Sequence, residues 1–503
     1  MEKKAACMEE HACPENEPAG GPSKRPVLRW MIRSAAVVVL LLAMIAIACL
    51  DSVDYEPYFN AEYFRATTDY WRQQAEKAKP VTGDLRAGFA RTLLTPGIGY
   101  ASNNPSKGQF KALPLAGYGQ RQGRSATGVH DDLYVKAVAF QVGDRLGIMV
   151  AADALIIPRV VTDIVLEQLD RDLKLSRAQV YFSATHTHSS LGGWGEGWVA
   201  EAFAGGYQPE AISWFADRLA GVVRAAVADL SSASIGHGRV ARPEYVRNRL
   251  VGERGRVDPE LSFALVRQSD GDTAVLGSYA AHATVLPAGN MEWSGDYPGC
   301  WQRAVEKATG GIAIFLAGGM GSHSPVAGEK GFVGAERMGN GLAQACLDQL
   351  PGLSLTNRIA FAIAGLEITL PEPQVRISDA IRLRPWLARR LLPVGQRVFL
   401  QVFRFQDWRW VSTPCDFSGE LALEIKDFAR SRGFQAVITS FNGDYVGYVI
   451  PSRYYHLEGY EPRLMSFFGP NLPDYFEEWI RRLMVDSIHP TVEIQGEISV
   501  AEH

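Results

Sequence analysis

Residues 178–193 read AQVYFSATHTHSSLGG, and the way this run is entered and left decides the architecture around it. Residues 160–175 (VVTDIVLEQLDRDLKL) precede it, with apolar positions at helical spacing. The apolar stretch that follows reads as a strand, delivers the chain to His186 and His188, and breaks at Gly192 and Gly193. A helix feeding a strand whose end opens on a glycine-rich loop is the α/β arrangement that places binding groups at strand ends. In extended chain, residues two apart share a face, so His186 and His188 can look into one site. That spacing alone leaves metal ligation, a catalytic pair and a plain loop all open.

The same grammar recurs downstream. The runs LSFALVR (261–267) and AVLGSYAAHA (274–283) flank the turn QSDGD and read as a hairpin ending on His282. A helix through YPGCWQRAVEKA (297–308) leads by Gly310 and Gly311 into the strand IAIFLAG, which stops in the loop GGMGSHSP (318–325). A first strand is expected at LRAGFARTLLTPG (85–97), and a helix between 210 and 230 from Ile212, Phe215, Leu219, Val222 and Val223. The expected fold class is therefore α/β (α+β): mixed β-sheets flanked by helices in one large domain.

Composition narrows the function classes. Hydrophobic residues make up 47% and charged residues 21% of 503, as in a folded globular chain. The net charge of -4 and the lack of a basic, aromatic-interleaved patch speak against nucleic acid as a partner. Six scattered cysteines with no C-x-x-C pair signal neither a zinc ribbon nor a disulfide framework. Residues 34–50 (SAAVVVLLLAMIAIACL) carry no charge, follow Lys24, Arg25, Arg29 and Arg33, and precede Asp51, Asp54 and Glu56. That asymmetry predicts a single-pass signal anchor over 27–50, with the chain beyond residue 51 on the extracytoplasmic side; a cleaved or lipoprotein signal ending near Cys49 is the alternative. The expected organisation is a disordered tail (1–26), the anchor (27–50), a juxtamembrane helix or stalk (51–82), the main domain (83–490) and a C-terminal strand or tail (491–503). The segment RLRPWLARRLLP (382–393) is basic and apolar together, and reads as a solvated helix or a membrane-facing surface.

Six segments then occur in a fixed order: SATHTHSSLGG, VRNRL, SYAAHATVL with SGDYPG, GSHSP, TPCDF and DYVGYV. In that order they resemble the catalytic domain of the neutral/alkaline (non-lysosomal) ceramidases over residues 85–485. The resemblance implies a zinc ion held by His186, His282, Asp416 and Tyr448, with His188 as the proton-handling neighbour. It implies Ser324 as the nucleophile, and Arg249 and Tyr460 as further groups lining the site. The family carries a glutamate where TPCDF offers Asp416, and Glu420 is a rival for that position. Ser190 and Leu191 replace the family's Gly-Pro, and Ser322 and His323 replace Asn-Leu. The family's C-terminal immunoglobulin-like domain has no counterpart before His503.

The function this resemblance implies is that of a membrane-anchored, zinc-dependent amidase that splits the N-acyl bond of ceramide-like lipids. A zinc hydrolase of another exported acyl ester or amide, and an inactive membrane-tethered binding module of the same fold, are the alternatives. Whether Ser324 attacks directly or positions a water stays open, as does the oligomeric state.

Overall fold

The computed structural model describes residues 25–74, 79–392 and 394–486. The expected tail over 1–26, apart from Arg25 and Pro26 at the start of a helix, and the expected final strand over 491–503 lie outside them. Residues 1–51 and 52–503 separate into two units. In the first, Arg25–Cys49 forms one helix, of which Leu28–Cys49 is long and apolar enough to cross a membrane. It fits a signal anchor and equally a signal peptide.

The second unit is built on twelve strands of one connected sheet. Its hub is the long strand Val81–Leu93, which pairs antiparallel with Arg358–Thr369 through its first residues and with Tyr134–Val142 through its last. It also touches Ser231–Ala241 at Arg86 and Ala87, so the sheet branches there instead of continuing flat. The arms fold face to face: Leu85, Phe140, Met149, Tyr181, Leu276, Leu316, Phe361, Phe403 and Trp410 pack in one buried cluster drawn from both. Tyr134–Val142 shows how sequence does this. Val138 and Phe140 point into that cluster, while Val135, Ala137 and Ala139 point out beneath the helices Arg159–Leu173 and Pro209–Ala228. A strand buried on both faces is mostly apolar, and this one departs from that only at Lys136, which pairs with Glu306, and at Gln141. Helices Asp296–Thr309 and Phe332–Leu347 cover a second outer face, and Gly419–Ser431 with Leu472–Asp486 a third. This is the expected α/β class, with mixed sheets flanked by helices in a single domain.

The expected stalk is a correction. Its helix is present at Glu62–Gln74, but it is packed onto the domain. Tyr63, Phe64, Thr67 and Trp71 fall on one face of it; Thr67 Oγ1 lies 2.7 Å from Tyr475 OH, and Phe64 and Trp71 meet Trp479. Aromatic contacts of this kind contribute about 0.5–1.5 kcal/mol each beyond burial. The domain therefore begins near Ser52 and not near Gly83. Cys300, Cys346 and Cys415 are all buried and unpaired, so no bridge forms among them.

Candidate metal centre and active site

Three parallel strand pairs aim their C-terminal ends at one place. Arg145–Ala152 lies beside Val180–Ala184, Thr273–Tyr279 beside Ile312–Ala317, and Trp408–Ser412 beside Gln435–Thr439. His186 follows the first pair and His282 the second. Asp416, Tyr445 and Tyr448 follow the third.

Both histidines are locked from behind. His186 Nδ1 lies 2.8 Å from Leu155 O, and His282 Nδ1 lies 3.0 Å from Met320 O. A carbonyl only accepts, so each Nδ1 carries the proton and each Nε2 presents a lone pair. Those two Nε2 atoms stand 3.2 Å apart, and His188 Nε2 stands 3.2 Å from that of His186. Asp416 Oδ1 lies 3.4 Å from both, is buried, and accepts no hydrogen bond. Its Oδ2 accepts from Tyr445 OH at 2.7 Å. Tyr448 OH is 3.2 Å from His282 Nε2 and accepts from Arg249 Nη2 at 3.1 Å.

Lone pairs and an unpartnered carboxylate oxygen facing one another at these distances repel, and a cation among them relieves that repulsion. Protonated histidines do not supply it, because burial pushes His186 down to about 3 and holds His188 and His282 well below the ordinary value. Burial also lifts the Asp416 carboxyl to about 7, against the Tyr445 hydrogen bond and the Arg249 charge. Nitrogen and oxygen donors of this kind and number suit a divalent metal of the zinc type. His186, His188 and His282 offer atoms within 4.8 Å of one another, a spacing able to hold a metal ion.

The backbone is strained to build this. His186 has φ of 62°, and its ring stacks on Phe441 at 4.1 Å, itself at φ of 65°. Non-glycine residues in that region cost on the order of 1–3 kcal/mol and cluster at functional sites. His188 is held differently: its Nδ1 makes no hydrogen bond of good geometry and its ring lies against Gly117 and Tyr118. The fully buried Arg121 donates to the carbonyls of Ala116, Ala288, Asn290 and His188, fixing the backbone on which that ring sits.

The other expected residues divide. Arg249 reaches Tyr448, the Gly321 carbonyl at 3.3 Å and Glu461 at 2.7 Å. Tyr460 packs edge-on against Tyr448 with ring centroids 5.7 Å apart. Glu420 is turned away, its Oε1 accepting from Arg256 N and Tyr454 OH, so it is Asp416 that meets the histidines. Ser324 lies in the strand His323–Pro325 opposite Arg247, half-buried, and its hydroxyl makes no hydrogen bond among the described residues. His323 is no base for it: Nε2 accepts from Asp258 N and Nδ1 donates to Ser322 Oγ at 2.9 Å.

The centre forms the floor of a cavity of about 200 Å³. Leu155, Ile156, Val199, Phe203, Leu392, Val398, Met465 and Phe467 make its walls, with His186, His188, Asp416, Tyr448 and Tyr460 facing in. Exposed Arg159, Glu196, Gly395 and Arg397 rim the opening. Ser324 is not among the lining residues. Sequence reading missed Tyr445, Arg121, Phe441 and the part played by Ser190. The Ser190 hydroxyl accepts from Leu155 N at 2.9 Å and so holds the residue whose carbonyl orients His186.

Comparison with known proteins agrees with the family resemblance. Residues 98–336 match the family profile described as neutral/alkaline non-lysosomal ceramidase, N-terminal. A neutral ceramidase of Mycobacterium tuberculosis is 27% identical over 245 residues, 45% of this chain and 38% of that protein's length. The aligned part thus spans well under half of that relative. The crystal structure of neutral ceramidase from Pseudomonas aeruginosa shares the fold with a TM-score of 0.65 at 17% identity, covering 80% of this chain and 74% of that one. A ceramidase complexed with C2 does so with a TM-score of 0.66 at 16% identity, covering 80% and 75%.

Proposed function

With residues 98–336 matching the neutral/alkaline non-lysosomal ceramidase family, we propose that this chain is a zinc amidase cleaving the N-acyl bond of ceramide-like lipids into a fatty acid and a sphingoid amine. The observation that carries the reading is the convergence of His186, His282 and the unpartnered Asp416 Oδ1 at the floor of an apolar cavity. His186, His282, Asp416 and Tyr448 hold the zinc. The ion supplies Lewis-acid chemistry at an amide carbonyl.

The protein's own groups do the rest. Apolar walls accept an acyl chain and exclude water from the floor. Arg249 and Tyr460 stand beside Tyr448, and their donor groups would serve to stabilise developing negative charge on the carbonyl oxygen. Unlike the other two histidines, His188 has no hydrogen bond of good geometry at Nδ1, so this ring is assigned to take a proton and return it to the leaving amine. Ser324 has no base within hydrogen-bonding reach, which favours water over the serine as nucleophile. Ser324→Ala retaining a substantial part of kcat supports that assignment.

The helix Arg25–Cys49 is read as a signal anchor that keeps the domain outside the cytoplasmic membrane, close to lipid substrate. The test is hydrolysis of a panel of N-acyl sphingosines beside simple acyl esters, with and without chelator. Preference for the long-chain amides supports the reading, and activity confined to esters overturns it.

A further inference from the structure

The chain re-enters the folded domain almost at once after its apolar helix. Val53 N donates to Ala380 O at 3.0 Å, Asp54 exchanges two hydrogen bonds with Gln374, and Tyr55 OH donates to Asp379 O at 2.7 Å. Only residues 50–52 lie between Cys49 and this tie. Four extended residues reach about 14 Å, so an embedded helix would tether Val53, and the strand end that it bonds, by a short link.

The 374–381 segment belongs to an unusual surface. Ile377, Ile381, Trp386, Leu391 and Leu464 are exposed by 60%, 41%, 50%, 36% and 67%. Between residues 372 and 397 stand six arginines against two acids, Glu372 and Asp379. The turn carrying Leu464 is joined to it through the Arg463–Asp379 ion pair at 2.7 Å and the bond from Arg376 to Pro462 O. The surface also runs into the cavity edge. The helix Pro385–Leu391 leads directly to the lining residues Leu392, Val394 and Gly395, and Tyr460 is both 41% exposed and part of the lining.

We infer that Ile377, Ile381, Trp386, Leu391 and Leu464, with Arg389 and Arg390, form a docking surface for an anionic bilayer that sets the cavity opening against the lipid. Exposed aliphatic residues and a tryptophan suit the interfacial layer, and arginines beside them suit anionic headgroups. The inference rests on the anchored-amidase reading and adds how substrate reaches the cavity: from the bilayer, along the edge shared by Leu391, Leu392 and Tyr460, without passing through bulk water.

The experiment uses the full chain reconstituted into phosphatidylcholine vesicles, with or without phosphatidylglycerol, containing bromine-labelled acyl chains. The wild type should lose tryptophan fluorescence that Trp386→Phe does not lose, and more of it with the anionic lipid. Arg389→Gln with Arg390→Gln should cut hydrolysis of bilayer-borne substrate by about fivefold or more while turnover of a water-soluble short-chain amide is unchanged. Equal quenching in wild type and Trp386→Phe overturns the docking surface, whatever the activity. So does a Trp386-dependent signal that appears in detergent alone on raising the protein concentration, which marks a second copy as the occupant. Quenching is read without substrate, so a chain that docks but cleaves no N-acyl lipid sinks the amidase reading and leaves the docking intact.

Discussion

The Nε2 atoms of His186 and His282 face each other at 3.2 Å with both protons committed on the far side, to Leu155 O and Met320 O. Asp416 Oδ1 completes the ring of acceptors at 3.4 Å from each. The cluster depends on its donors and on the groups that hold them, and each can be removed in turn.

Removing a donor should remove the ion. His186→Ala and His282→Ala, checked for folding by circular dichroism, are each expected to fall from about one bound zinc per chain to almost none, with activity lost in parallel. Elemental analysis of the purified proteins reads this directly. Metal retained in both variants contradicts the ligand set.

Ser190 acts at one remove. Its hydroxyl accepts from Leu155 N, and Leu155 O orients His186, so Ser190→Ala should loosen the ligand without touching it. Zinc affinity is expected to drop about 10–100-fold, the usual effect of losing such support. Competition with a chromogenic chelator measures it, and Ser190→Thr should recover much of the loss. An unchanged affinity in Ser190→Ala shows that the backbone alone holds Leu155.

Tyr445 donates to Asp416 Oδ2 at 2.7 Å and fixes which oxygen faces the histidines. Tyr445→Phe should weaken zinc binding by a similar factor, with KM changing less than kcat because the hydroxyl orients the metal ligand. A change in KM alone would place the hydroxyl on substrate.

Asp296 supplies a pH signature away from the centre. Its carboxyl accepts from Leu286 N and Tyr297 N, but full burial raises it from 3.8 to about 6. Between those values the folded chain holds a proton that the unfolded chain has released, so stability from this group falls as pH rises from about 4 to about 6 and is level above. A shift of that size corresponds to about 3 kcal/mol. Asp296→Asn should lack this fall, so the difference in denaturant midpoint between the two proteins should change across that window and not beyond it. A difference independent of pH removes the assignment.

Much of this was legible in the sequence because local pattern and tertiary structure agree. Residues 160–175 read as a helix and form Arg159–Leu173, and the 261–283 hairpin stops at Tyr279, three residues short of His282. His186, His282 and Asp416 come together because each follows a strand end, which spacing hinted at and family resemblance specified. The stalk was misjudged because Tyr63, Phe64 and Trp71 face a partner, Leu472–Asp486, that lies some four hundred residues away in the chain. Arg121 and Tyr445 were missed for a related reason. An arginine whose hydrogen bonds go to carbonyls carries no motif, and Tyr445 matters for what Asp416 does. Asp416 and Glu420 were indistinguishable by type; only the helix beginning at Gly419, capped by Ser418, turns one away from the other.

Cleavage of a fatty amide in this cavity should depend on a bound zinc. Product release from a long-chain N-acyl sphingosine in mixed micelles by the full chain, before and after chelation and zinc repletion, reads that dependence. Fatty acid and free amine should appear in equal amounts, both should be lost on chelation, and both should recover with zinc. Equal turnover in the chelated, zinc-free protein would contradict the zinc amidase.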